Sequence, residues 1–205
     1  MKDDMDMLRE VGNIAAAHGS IALSEILKKK VQLSVPRTDI ISSTTVAARL
    51  SLGKVCIAVF SKIVTGLKGQ VIFLLDERNA FRLNDISYKV SPEEQRSGVM
   101  TEIGMSLIKE IGSMVTSAYV TALGMMFKRV ILLAPPTLIS GTIEEILNIT
   151  VFSSRESKDQ EVILIEAAFN EPDEHLQGSF YMVLSRDAAV DIKAACEEIL
   201  RELGA

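Results

Sequence analysis

The sequence predicts an α+β protein written twice within one chain, and three observations carry that prediction. A long stretch of helical periodicity opens each half, short β-rich runs are grouped after it, and a further helix closes the half. Helices kept to the ends of strand runs imply α+β rather than alternating βαβ units. The third observation is a repeated spacing. Asp6-xxx-Glu10-xx-Asn13 is followed by twenty-two residues and then Pro36, and Ser106-xxx-Glu110-xx-Ser113 by twenty-two residues and then Pro136.

In the first half the periodicity predicts an amphipathic helix over residues 4–29, with Lys28-Lys29-Lys30 suited to its negative end. Strand-like runs follow at Val31–Val35, Ile40–Ala47, Lys54–Phe60 and Gly69–Leu75, and a helix over Asn79–Lys89 ends the half. Ser91–Gly98 reads as a linker. The second half predicts a helix over 98–127 and strands at Val130–Leu133, Leu138–Ile143, Ile149–Phe152, Glu161–Ala168 and Gly178–Leu184. Ala188–Leu203 is its closing helix. The expectation is a single domain, 1–205, made of two repeated halves at about 1–92 and 97–205.

Laid over one another at an offset of 100, residues 8–36 and 108–136 agree without a gap. Glu10/Glu110, Gly12/Gly112, Ala22/Ala122, Leu23/Leu123, Lys28/Lys128, Leu33/Leu133 and Pro36/Pro136 are identical. Further on, Gly66-Leu67-Lys68-Gly69 resembles His175-Leu176-Gln177-Gly178 at an offset that has grown to 109. The polar loop Ser153–Asp159 is the natural home for the extra residues.

The 205 residues are 48% hydrophobic and 24% charged, with net charge −5, the balance of an ordinary globular protein. No long uncharged apolar run marks a membrane span, and the acidic start lacks a signal-peptide layout. Cys56 and Cys196 lie far apart in no redox or metal spacing, and with only His18 and His175 a histidine-rich metal centre is not expected. A cytoplasmic, reduced protein is the expectation. The acidic balance and the lack of a basic aromatic stripe argue against nucleic acid. No Gly-x-Ser-x-Gly, His-Glu-xx-His or phosphate-cradling glycine loop is present.

Glutamate and asparagine three apart lie on one helix face. The glutamate can pair with a partner's lysine or arginine, and the amide, both donor and acceptor, can hold a water at a fixed angle. That combination suits hydrolysis of an already activated bond such as an aspartyl-phosphate, where positioning limits the rate. A 100-fold gain requires about 2.7 kcal/mol of barrier reduction. Glu-xx-Asn alone describes many solvated helix faces. Gly12 in mid-helix costs about 1 kcal/mol against alanine and marks a close approach, and Gly112 repeats it.

The duplicated pattern, with Leu8-Arg9-Glu10-Val11-Gly12-Asn13-Ile14 and Lys109-Glu110-Ile111-Gly112-Ser113-Met114 as its two helices, resembles the CheC-type phosphatases of chemotaxis, the family of CheC, CheX and FliY. The resemblance implies a pseudo-two-fold α+β sandwich, its sheet mostly antiparallel, with the two motif helices side by side on one face. It implies a cytosolic hydrolase acting on the aspartyl-phosphate of a CheY-type response regulator. Glu10 would dock the regulator and Asn13 orient the attacking water, with no cofactor of the chain's own and Mg²⁺ on the regulator. A CheD-type receptor deamidase is a second implied partner. Ser113 departs from the family's asparagine, so Glu110 and Ser113 read as a degenerate second site in which Glu110 keeps a docking role. Ala15-Ala16-Ala17-His18 replaces the family's glycines, and His18 reads as a surface or half-buried structural residue.

Asp6 and Ser106 read as helix-start or flanking polar groups. Met100, Met105, Met114, Met125 and Met126 read as core packing, with a flexible docking surface as the alternative. The rival to the enzyme is a non-catalytic CheC-like module that sequesters the regulator or the deamidase. Because the duplication already supplies a pseudo-dimer, a monomer is expected.

Overall fold

Seven strands among the described residues form one sheet, with helices on both of its faces. The computed structural model describes residues 2–42, 55–88, 100–152, 161–185 and 187–195 apart from 189 and 193. The expected linker Ser91–Gly98 and the loop Ser153–Asp159 lie outside them, as do residues 43–47 of the second predicted strand, Cys196 and the end of the closing helix. In chain order the elements are α1 (Lys2–Leu27), β1 (Gln32–Ser42), β2 (Val55–Thr65), β3 (Gly69–Asp76) and α2 (Glu77–Tyr88). The second half continues with α3 (Glu102–Met126), β4 (Leu132–Leu133), β5 (Thr137–Thr142), α4 (Ile143–Phe152), β6 (Glu161–Glu171) and β7 (Leu176–Ser185). The described residues of 187–195 are helical. None of these helices is long and apolar enough to cross a membrane.

The strand order is β1-β6-β7-β3-β2-β4, with β5 also on β2, and each pairing is antiparallel. β1 of the first half therefore pairs with β6 of the second, and β4 and β5 of the second half pair with β2 of the first. The registers repeat as well: Ser42 opposite Glu161 has its counterpart in Thr142 opposite Val55, and Thr38 opposite Ile165 in Leu138 opposite Val59.

Alternation along the two central strands sorts the core into two layers. Val71, Phe73, Leu75, Phe180, Met182 and Leu184 pack beneath α1 and α3. Ile72, Leu74, Tyr181 and Val183 turn to the other face, where Ile143, Ile146 and Leu147 of α4 cover them. Buried on both faces, these strands read as continuous apolar runs. The expected α+β architecture, with a mostly antiparallel sheet and both motif helices against one face, is what the structure has.

Two expectations about elements are corrected. Ile149–Phe152 is the end of helix α4, not a strand. The spacing Ile143, Ile146, Leu147 makes an apolar helical stripe, and a reciprocal cap starts it. The Thr142 N–H donates to Glu145 Oε2 (2.8 Å), and the Glu145 N–H donates to Thr142 Oγ1 (3.2 Å). The separate runs Val31–Val35 and Ile40–Ala47 are one strand, β1, irregular between Ser34 and Arg37. Pro36 sits at that irregularity because it has no N–H for the ladder. In the second half the same place is a break, residues 134–136, between β4 and β5.

Candidate active site

α1 and α3 lie against each other at glycines. A Cβ on Gly12 would stand 3.4 Å from the Tyr119 hydroxyl and 3.3 Å from Val35 Cγ2. One on Gly19 would stand 3.8 Å from Tyr119 Cβ. Tyr119 is fully buried between them and its hydroxyl has no hydrogen-bond partner. Burial pushes that hydroxyl well above the usual tyrosine range. Gly112 faces the sheet instead, where an added Cβ would meet Val59 Cγ2 at 2.8 Å and Phe73 Cδ1 at 3.0 Å. The close approach expected at both glycines is present, against different neighbours.

Strand β1 runs back along α1, and polar contacts tie the two together. Val31 N–H donates to Ser24 Oγ (3.0 Å), and the Ser20 hydroxyl donates to Val31 O. Leu33 Cδ2 faces Gly19. One turn from the motif glutamate, the Val35 N–H donates to Asn13 Oδ1 at 2.9 Å. Eleven residues of helix from Ser24 back to Asn13 rise roughly 16 Å, and four of strand from Val31 to Val35 roughly 13 Å. The twenty-two-residue spacing is thus the length of chain that carries β1 back beside the amide. This explains the spacing before Pro36 in physical terms.

Glu10 is exposed and Asn13 half-buried, both on the outward side of α1. In the second half Glu110 is exposed and Ser113 half-buried on α3. The asymmetry extends beyond the side chain at 113. Pro135 stands where the first half has Val35, so it has no N–H to donate. Asp6 and Ser106 do not start their helices: α1 and α3 begin at residues 2 and 102, and Thr101 Oγ1 accepts from the Gly104 N–H (3.2 Å) as the α3 cap. Asp6 instead lies 3.6 Å from Arg9, an exposed pair. His18 is exposed.

The expectation of a methionine core is overturned in part. Met100 and Met126 pack against the core, but Met105, Met114 and Met125 are exposed, the last by 71%. With Ile14 and Ile21 they place apolar surface on the two motif helices. The clefts described on the molecule lie elsewhere. One of about 590 Å³ is lined by residues such as Asp76, Arg78, Arg82 and His175, and none of its lining residues belongs to either motif. No group of three or more histidine, cysteine, aspartate or glutamate residues among the described residues is arranged to hold a metal. What sequence reasoning missed is Val35, whose contribution is a backbone group and leaves no mark on side-chain identity.

Comparison with known proteins gives a consistent answer. Residues 4–40, which contain Glu10, Asn13, Val35 and Pro36, match the model of the CheC-like family. The CheY-P phosphatase CheC of Bacillus subtilis (strain 168) is 26% identical over 135 residues, 62% of this chain and 61% of that one. The flagellar motor switch phosphatase FliY of the same organism is 21% identical over 167 residues, 82% of this chain and 42% of that one. The chain thus spans less than two thirds of either relative's length. Among solved structures, FliY of Thermotoga maritima superposes with a TM-score of 0.79 at 20% identity, covering 97% of this chain and 98% of that one, which is a likeness of fold. In its matched motif segment and over its two curated relatives, the chain is similar to the CheC-type chemotaxis phosphatases, and it shares the fold of FliY.

Proposed function

We propose that this protein hydrolyses the aspartyl-phosphate of a CheY-type response regulator, using the first motif. The observation that carries the reading is the half-buried Asn13 amide, its Oδ1 engaged by Val35 N–H, one helical turn from exposed Glu10. With Oδ1 accepting, the two N–H groups of Nδ2 remain to donate. Glu10 docks the regulator through a cationic side chain, and Nδ2 holds the water by donating to its oxygen. The water's free lone pair then attacks phosphorus in line with the leaving oxygen. A P–O bond to water forms, the P–O bond to the aspartyl carboxylate breaks, and its electron pair leaves with the carboxylate, giving inorganic phosphate. Mg²⁺ would belong to the regulator and neutralise charge on the transferring group there. Glu110 serves docking, and Ser113 lacks the amide that the chemistry requires.

The reading makes the protein a cytoplasmic monomer whose two repeated halves act as one domain. The binding-module alternative draws support from the exposed Ile14, Ile21, Met105, Met114 and Met125 on the motif helices. Such a surface suits protein docking with or without catalysis. A regulator or a CheD-type deamidase would then be sequestered without turnover. Phosphate release from a phosphorylated CheY-type domain separates the two. Turnover above the regulator's own decay, lost about 100-fold or more in N13A and kept in S113A, supports the phosphatase. Decay unchanged by the protein favours the binding module.

A further inference from the structure

We propose that the backbone N–H of Val35 is the positioning group for Asn13, and that the second motif lacks two groups, the amide at Ser113 and an N–H at Pro135. The proposal rests on the phosphatase reading for its catalytic consequence, but its structural half stands alone.

β1 leaves its ladder with β6 between Ser34 and Arg37, and this frees Val35 N–H from strand pairing. A backbone donor released so close to the core needs a partner, and Asn13 Oδ1 supplies it at 2.9 Å. The bond acts in both directions. It satisfies the strand irregularity, and it also removes the freedom of the Asn13 carboxamide to turn over and exchange its oxygen for its nitrogen. Gly12 permits the approach, since Val35 Cγ2 already lies 3.3 Å from where a Cβ would stand. Asn13 thereby presents Nδ2 in one orientation, the preorganisation that a water-positioning group needs.

The second half has the strand break without the donor. Ala134 N–H donates to Lys62 O at 2.8 Å, and the next residue is Pro135. An amide restored at position 113 alone would find no N–H to fix it. Conversely, with proline in place no donor is left orphaned by a serine. The two substitutions are mutually consistent, so repair of one predicts no repair of function.

The test uses the full-length chain. In the N13A background, S113N alone is expected to leave phosphate release from a phosphorylated CheY-type domain at the N13A level. S113N with P135V is expected to raise kcat at least about 10-fold over that level with little change in KM. Equal recovery by S113N alone overturns the proposal. So does a folded triple variant with no recovery, as judged by an unchanged thermal transition. Amide hydrogen exchange gives the readout independent of activity. Val35 N–H is expected to exchange faster in N13A than in wild type while its β1 neighbours at Thr38–Ile41 are unaffected. Unchanged Val35 exchange overturns the positioning role. If N13A retains wild-type hydrolysis while Val35 exchange accelerates, the anchor stands and the phosphatase assignment of Asn13 falls.

Discussion

Ile72 and Tyr181 face each other across the β3–β7 pair, and they are equivalent positions of the repeat. The offset of 109 that aligns Gly69 with Gly178 also maps residue 72 onto residue 181. A strand pair in which a residue meets its own counterpart contains the pseudo-two-fold axis. The axis therefore passes between these two side chains, at the centre of the sheet, and both motif helices are disposed about it.

The two motif glycines differ in how closely they are packed, so alanine will separate them. At Gly112 an added Cβ meets the Val59 side chain at 2.8 and 2.9 Å and Phe73 at 3.0 Å. At Gly12 the nearest contact is 3.3 Å. Gly112→Ala is expected to cost about 1–3 kcal/mol through overpacking. Gly12→Ala is expected to cost less, because about 1 kcal/mol of helix propensity offsets the strain. Urea denaturation of the two variants measures the difference.

The Tyr119 hydroxyl is buried without a partner, at an energetic cost that phenylalanine would remove. Tyr119→Phe is expected to raise stability by on the order of 1 kcal/mol. The ring keeps its packing on Phe180, whose centroid lies 4.6 Å away. Loss of stability in this variant would show that the hydroxyl has a partner in solution.

His175 adopts φ 53° at the position where the first repeat has Gly66 with φ 90°. The left-handed region is strained for a side chain and free for glycine. His175→Gly is expected to hold or raise stability by about 0.5 kcal/mol, because Arg82 Nη1 binds the backbone carbonyl at 2.9 Å and not the imidazole. Gly66→Ala is expected to destabilise, since its Cβ would strike the Val130 carbonyl. Thermal midpoints of the pair check the opposite signs.

The Glu145 carboxylate is held below its ordinary 4.5, first by the Thr142 N–H and then by the Thr142 hydroxyl. A depressed folded-state value contributes stability that is present above the unfolded value and lost as pH falls through the folded one. Wild type is therefore expected to be more stable than Glu145→Gln near neutral pH, and the gap should close as pH drops below about 4.5. A gap that is constant from pH 7 to pH 3 would mean that the carboxylate has no part in capping α4.

The long helices and the central strands were legible because their periodicity is sustained over many residues. Ile149–Phe152 was not, since a four-residue apolar run fits a strand or a buried helix equally. The arbiter lay just upstream in Thr142-x-x-Glu145, a capping box readable from sequence. At the candidate site, the repeat spacing singled out Glu10 and Asn13 for the proposed chemistry, and Gly12 announced a close approach. It approaches both Val35 and Tyr119, and the second comes from the other half, where no local pattern names a residue more than one hundred positions away. Met105, Met114 and Met125 misled because apolar character alone does not say which side of a helix faces out.

The exchange of first strands between the halves has a consequence for cutting the chain. A fragment ending before α3 would carry β1 with no β6 to receive it, and β2 with an open edge in place of β5. Each fragment would expose unpaired backbone and aggregate, whereas the two mixed together should complement one another like subunits of an interlocked dimer. The half bearing Ser113 is thus indispensable as a scaffold for the half bearing Asn13, whatever its own chemistry.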